Sequence, residues 1–403
     1  MNRDAQLLFL ARAVRMSGYG ALGLILVLYL GSAGLDAGQI GLLLALTLVG
    51  DTLISLYLTT HADRIGRRRT LVIGALLMAA AGIVFAGSTG FVLLLLAATI
   101  GVISPSGAEV GPFLPIEQAS LTEVTPADRR TSVYAWYNLT GSVATAVGAL
   151  IAGLVVAFLR SSGWSEIDAY RIILISYSLR ALVLIPIVRM VSPAVEVPPV
   201  DATIAGRLGL HRSRGIVGRL SALFALDAFG GGLIVQSLLA FWFHQRFGLD
   251  EAALGGIFFV ANILAAVSAL AAARIAARIG LINTMVFTHL PSNILLMLVP
   301  LMPSVELAII VLLLRFSISQ MDVPTRQSYT MAVVDPDERS AAAGVTGIAR
   351  TTGAALSPLI AAPLFAVPGL ASLPFFLAGG LKIVYDVVLW RLFSRRPPPA
   401  DGA

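Results

Sequence analysis

Cysteine is absent from the 403 residues, so neither a disulfide framework nor a thiolate-held metal is available to this chain. Histidine is nearly as scarce. His61, His211, His244 and His289 stand far apart, without the spacings that bring ligating histidines together, and no metal site is expected. His289, inside an apolar run, reads as a hydrogen-bonded interior residue. Charge is also rare, at 12% of residues against about 25% in an ordinary soluble domain. The basic residues are twenty-seven arginines and a single lysine, Lys382. Catalytic signatures are missing too: there is no Gly-x-Ser-x-Gly elbow, no P-loop and no zinc motif. Gly18-Tyr19-Gly20-Ala21-Leu22-Gly23 spells the dinucleotide fingerprint, but it lies within an apolar run with no preceding strand and no acidic residue at the required distance. It reads as a packing surface. Neither an enzyme nor a cofactor-binding protein is expected, and ATP-driven work has no support.

What fills the chain instead is hydrocarbon. Hydrophobic residues make up 57%, above the 45–50% or so of soluble proteins, which marks an integral membrane protein. Apolar runs long enough to span cover roughly 9–31, 39–58, 71–88, 91–114, 132–158, 171–190, 220–243, 253–273, 281–300, 305–325, 341–366 and 373–393. Twelve transmembrane helices are expected. The first run follows Arg3 and Arg12 and outlasts the short apolar region of a signal peptide, so it is read as a retained span. Arginines crowd alternate loops: Arg64, Arg67, Arg68 and Arg69, then Arg129 and Arg130, Arg207 to Arg219, Arg274 and Arg278, Arg339, and Arg395 and Arg396. Arg160 and Arg246 stand on the other face. The asymmetry puts both termini in the cytoplasm, and it explains the net charge of +6 without a nucleic-acid partner.

One basic loop carries more than charge. Between the second and third runs the chain reads Thr59-x-x-x-Asp63-Arg64-Ile65-Gly66-Arg67-Arg68. This resembles the loop signature of the major facilitator superfamily, G-x-x-x-D-R-x-G-R-[RK], with Thr59 in place of the leading glycine. The halves also repeat: at an offset of 209 residues Pro115, Gln118, Asp128 and Arg130 align with Pro324, Gln327, Asp337 and Arg339. A second echo sets Asp63-Arg64-Ile65-Gly66 beside Ala277-Arg278-Ile279-Gly280. The resemblance implies an all-α membrane fold of two pseudo-two-fold related six-helix bundles around a central site reached alternately from each side. The expected division is an N-terminal bundle over 1–190, a cytoplasmic linker over 191–219 containing Pro193, Pro198 and Pro199, and a C-terminal bundle over 220–403. Gly353 to Ala362, with Pro358, is similar to the glycine-proline motif of helix 5 in antiporters of the family; in helix 5 itself, Ala144 to Gly153, the proline is replaced by Ala149. That inclines the reading toward export, although small residues at these spacings also permit close helix packing.

Ionisable residues inside apolar runs are costly and mark sites of function. They are Arg15, Asp51, Glu109, Glu117, Arg180, Asp227, Arg315, Asp322, Arg326, Arg350, Lys382 and Asp386. Lys382 and Asp386, four apart, are expected to satisfy each other, and Asp322 and Arg326 share that spacing. Helices 1, 4, 7 and 10 line the cavity if the resemblance holds. The candidate substrate contacts are then Arg15, Tyr19, Glu109, Gln236 and Arg315, with Arg350 on helix 11. The proton-coupling candidates are Glu117, Asp227 and Asp322. A cytoplasmic gate would comprise Asp63, Arg64, Gly66 and Arg67, with Glu117 meeting Arg326 across the pseudo-two-fold axis. Arginine's planar donor fork suits carboxylates and phosphates, so the solute is expected to be small and anionic or zwitterionic. Ser106 stands where Arg315 has its counterpart, so helix 4 lacks the arginine of many proton-coupled members. The function expected is secondary transport by a monomer of a cell membrane, a bacterial inner membrane, with protons and membrane lipids as its other partners. A proton-driven antiporter is preferred, with a symporter importing an anionic metabolite as the alternative. A receptor or lipid scramblase on the same fold is the reading from another class.

Overall fold

The computed structural model describes residues 2–126, 129–196, 212–335 and 338–394, apart from the side chains of Asp63, Thr131, Ser132 and Ser340. The repeat partners Asp128 and Asp337, together with Arg207 and His211, fall outside the described residues. The described residues form helices α1 (Arg3–Ser32), α2 (Ala37–Ile65), α3 (Arg67–Gly87), α4 (Phe91–Ile100), α5 (Phe113–Val124), α6 (Arg130–Ser161), α7 (Glu166–Met190), α8 (Arg214–Gly232), α9 (Gln236–Phe247), α10 (Glu251–Ile279), α11 (Leu281–Leu298), α12 (Val305–Phe316), α13 (Asp322–Ala332), α14 (Arg339–Leu356), α15 (Pro358–Ala366) and α16 (Leu373–Phe393). Among them are ten helical spans long and apolar enough to cross a membrane. Helix is the expected solution, because in hydrocarbon every backbone N–H and C=O must find its partner inside the segment. Starts are fixed by side chains. Asn2 accepts from the Ala5 N–H, Asp36 and Gln39 close a reciprocal capping box, and Ser165 accepts from the Asp168 N–H.

The fourth and tenth apolar runs differ from the single helices expected over 91–114 and 305–325. Each is broken, between α4 and α5 over 101–112, and between α12 and α13 over 317–321. The first gap holds Pro105 and Pro112, with Gly107 and Gly111 at φ of 68° and 80°, which the helical ladder cannot carry. Pro115 and Pro324 then occupy the third position of α5 and α13, where the missing N–H has no intrahelical partner to lose. The matched prolines of the 209-residue repeat are therefore two helix restarts. Glu109 consequently lies in the irregular segment and not on a helix, while Glu117 is on α5, and Arg315 is parted from Asp322 and Arg326.

Two compact units emerge, Met1–Asp201 with Val235–Asn262, and Ala202–Ile234 with Ile263–Ala403. The segment 235–262, counted from sequence with the second six helices, packs with the first unit. Its anchor is Glu251, only 1% exposed, which accepts from the Tyr170 hydroxyl at 2.6 Å and from Arg160 Nη1 at 3.2 Å. The start of the expected linker is likewise absorbed, since Val191 and Val195 are buried in a core with Leu8, Leu121 and Tyr137. In the second unit Leu220, Phe224, Met285, Tyr329, Tyr385 and Phe393 make the corresponding core.

Small residues set how closely the helices approach. A Cβ on Gly20 would overlap the Thr145 carbonyl, and one on Gly148 would overlap that of Ser17, so α1 and α6 meet backbone to backbone. Gly353 of α14 rests in the same way on the Ala225 carbonyl of α8, and Gly255 of α10 on that of Ala149. The Gly18–Gly23 string and both glycine-rich stretches thus serve packing. Because the obstacle at Gly148 is backbone that cannot swing aside, Gly148→Val should cost about 1–3 kcal/mol or more through overpacking. The measure is the monodisperse fraction on size-exclusion chromatography, and a parent-like yield would contradict the contact.

Candidate functional site

In the first unit, α1 presents Arg12 and Arg15 one turn apart toward two carboxylates, Glu109 within the break of the fourth run and Glu117 on the helix that follows it. Arg15, 0% exposed, donates from Nη1 and Nη2 to the two oxygens of Glu117 at 2.6 and 2.7 Å, and from Nε to Glu109 at 3.0 Å. Arg12 donates to the other Glu109 oxygen at 2.9 Å, and the Tyr137 hydroxyl donates to Glu117. The guanidinium carbons lie 4.3 Å from the Tyr137 ring centre and 4.4 Å from that of Phe113. Two positive and two negative charges thus close on themselves. Planar forks, bidentate geometry and aromatic walls are what let such a set stay ionised away from water. Glu109, 14% exposed at its side chain, is the open edge of the set.

The second unit gathers charge from four helices. Asp227 of α8 accepts from Lys382 Nζ of α16 at 2.6 Å and from Arg326 Nη1 of α13 at 3.1 Å, and the same Arg326 nitrogen reaches Asp322 at 2.9 Å. His289 of α11 places Nδ1 2.9 Å from Asp386 Oδ1 and Nε2 3.8 Å from Asp227 Oδ1. Asn293 donates to the other Asp386 oxygen at 3.1 Å. The i, i+4 spacing on α16 misled: Lys382 bonds Asp227, and Asp386 bonds α11 instead of Lys382. Two neighbouring helices offered a better solution than one helix could. His289 is hydrogen-bonded in the interior, as expected.

Each remaining candidate has a place. Tyr19 is fully buried and donates to the Val110 carbonyl at 3.1 Å, which leaves its hydroxyl engaged. Gln236 opens α9 with Oε1 accepting from Asn262 at 3.3 Å, while its buried Nε2 has no hydrogen-bond partner among the described residues. Arg315 and Arg350, half-buried, form no ion pair among the described residues, and the Nε of each lacks a partner. Glu117 and Arg326, expected to meet each other, each find partners within their own unit. In the loop signature Gly66 takes φ 99°, and Arg64 is exposed. Arg67 and Arg68 donate backbone N–H groups to Glu196 at 2.6 and 3.1 Å, while Arg67 Nη1 reaches the Val195 carbonyl at 3.0 Å and Arg68 Nη2 that of Arg189 at 2.6 Å. The Asp63 side chain lies outside the described residues.

Sequence reading missed Arg12, Tyr137, Glu196 and the joint role of His289, Lys382 and Asp386. Spacing carried a signal for some of them. Arg12 shares a helix face with Arg15, and His289 with Asn293 repeats, on α11, the four-residue interval of Lys382 with Asp386 on α16.

Residues 8–358 match the sequence profile of the Major Facilitator Superfamily. An uncharacterised membrane protein of Saccharomyces cerevisiae, YJR124C, is 30% identical over 97% of this chain and 94% of its own length. The quinolone resistance protein NorA of Staphylococcus aureus is 25% identical, over 34% of each chain. Among solved structures, a mutant form of the nucleoside transporter NupG superposes with a TM-score of 0.77 at 13% identity, covering 97% of this chain and 100% of that one. A bacterial homologue of the human lysosomal transporter Spinster, inward-facing and unoccupied, gives 0.74 at 16% identity, with 98% of each chain covered. With the helical architecture, the loop signature and a match over most of its length, the chain belongs to the Major Facilitator Superfamily and is a multi-pass membrane transporter rather than an enzyme.

Proposed function

We propose that this transporter is a secondary active one that moves a small organic solute by alternating access and exports it in exchange for protons. The observation that supports it is a closed network of buried charges in each unit, Arg12–Arg15–Glu109–Glu117 and Asp227–Asp322–Arg326–Lys382 with His289 and Asp386. A purely structural bundle gains by replacing such groups with hydrocarbon, whereas a machine that exchanges partners needs them. The same consideration counts against a receptor or scramblase. Glu117, Asp227 and Asp322 are the proton-coupling residues of this reading. Arg315, Arg350 and Gln236, with donors unspent, are its solute contacts, and they favour an anionic or zwitterionic molecule. Arg15 and Glu109, already paired, take part by opening.

On this reading the chain crosses a cell membrane, a bacterial inner membrane, twelve times. Each broken run, α4 with α5 and α12 with α13, makes one crossing, and both termini lie in the cytoplasm. The transporting unit of this reading is a monomer. The unpaired arginines also suit import of an anionic metabolite by proton symport, so the direction of coupled flux decides. The test is flux in proteoliposomes of quinolones, nucleosides and pentoses under an imposed pH gradient. Accumulation opposed to proton flow is expected. Accumulation along it would identify the symporter, and flux indifferent to the gradient would end proton coupling.

A further inference from the structure

The imidazole of His289 lies between two carboxylates, with Asp386 2.9 Å from Nδ1 and Asp227 3.8 Å from Nε2. A neutral imidazole has one N–H to offer, so one of its nitrogens turns a lone pair toward an anion. The doubly protonated ring has two. Asp386 cannot turn away, because Asn293 holds its second oxygen. The setting is therefore complementary to an imidazolium, or to one proton shared between His289 and Asp386.

The charges around the ring point the same way. In the contact chain Asp227, Asp322 and Asp386 face Arg326 and Lys382, leaving one negative charge in excess when His289 is neutral. One proton balances the set. Arg315 on α12, Arg350 on α14 and Arg391 at the exposed end of α16 are the other cations of this unit's apolar runs; none forms an ion pair with the contact chain among the described residues, although Arg350 acts electrostatically on Asp227 and Asp322 and Arg315 on Asp322. The remaining titratable neighbours are Tyr385, whose ring centre is 5.9 Å from that of His289, and Tyr329 of the same core.

We propose that the His289–Asp386 pair, joining α11 to α16, is a proton-binding site of this transporter and that its occupancy is relayed through Asp227 to Lys382 and Arg326. The relay is competition for one oxygen. Asp227 Oδ1 accepts from Lys382 at 2.6 Å and also faces His289 Nε2. An imidazolium draws that carboxylate toward α11 and loosens its hold on Lys382. Through its second oxygen Asp227 shares Arg326 with Asp322, so the change reaches α13, where the tenth run restarts. The proton arrives between α11 and α16 and alters the ion pairs that tie α8 to α16 and to α13.

This inference rests on proton-coupled transport, yet its test needs no solute. Lys382 is the only lysine in the chain, so ¹³C,¹⁵N-lysine labelling gives one side-chain signal, and that signal sits on the relay. In detergent-solubilised protein the ¹³Cε–¹⁵Nζ resonance of Lys382 should move in a single step as the pH is varied. The step should vanish in His289→Gln and change its midpoint in Asp386→Asn, while His61→Gln and His244→Gln leave it in place. An unmoved signal in the parent chain, or the same step in both His289→Gln and Asp386→Asn, overturns the proposal. In proteoliposomes His289→Gln should keep exchange at equal pH and lose gradient-driven accumulation. If the parent chain itself ignores the gradient, proton coupling fails on its own, and the lysine signal still reports whether His289 binds the proton and relays it.

Discussion

Glu117→Ala should destabilise the detergent-solubilised protein by about 3–5 kcal/mol and abolish transport, because it strands Arg15 without its bidentate partner. Arg15 is wholly buried, and Glu109 can take only one of its nitrogens while also serving Arg12. The Tyr137 hydroxyl loses its acceptor in the same step. The double variant Arg15→Met with Glu117→Leu separates the two roles. Removing both charges relieves the stranded cation, so stability should return most of the way while transport stays absent. Denaturant or thermal unfolding gives the first quantity and proteoliposome flux the second. A loss below about 1 kcal/mol for Glu117→Ala, the range of exposed pairs, would mean that the network is not closed as described.

Asp227→Asn is the second large effect, and it should exceed that of Asp322→Asn. Asp227 is the acceptor of Lys382 and Arg326 together and faces His289, whereas Asp322 shares one nitrogen of Arg326. Losing Asp227 leaves Lys382 with no carboxylate in bonding distance among the described residues, at a cost of about 3–5 kcal/mol. Losing Asp322 removes one charge-assisted bond while Arg326 keeps Asp227, at about 1.5–3 kcal/mol. Lys382→Met added to Asp227→Asn should recover stability and leave transport lost. Equal effects of the two aspartate variants would show that Asp227 is not the hub.

Membrane helices were legible because hydrophobicity is summed over some twenty residues, and a sum survives local irregularity. For the same reason the breaks were not. Gly101, Pro105, Gly107, Gly111 and Pro112 hardly alter the apolarity of the fourth run but remove its helical ladder, and Glu109 moves off the helix with them. At the site, the identity of the buried charges could be read, since each is anomalous in an apolar run. Their pairing could not. Symmetry made Glu117 and Arg326 equivalents, and equivalence does not decide which opposite charge lies within a hydrogen bond. Arg15 supplied a fork to Glu117 from α1, and α8 supplied Asp227 to Arg326. Likewise Lys382 and Asp386 stand one turn apart, but α8 and α11 each offered one of them a partner that the turn itself could not improve on.

Two glutamates hold the chain on either side of residues 197–211. Glu196 clamps the backbone N–H groups of Arg67 and Arg68, and Glu338 clamps those of Arg212 and Ser213 at 2.8 Å each. A carboxylate on the exposed N–H groups at a helix start is favourable on both hydrogen-bonding and dipole grounds. The described residues at either side of 197–211, within the stretch expected to span 191–219, are therefore each held by a carboxylate. Removing either glutamate would undock one end of that stretch without changing a residue of it, and would leave two backbone N–H groups short of their acceptor.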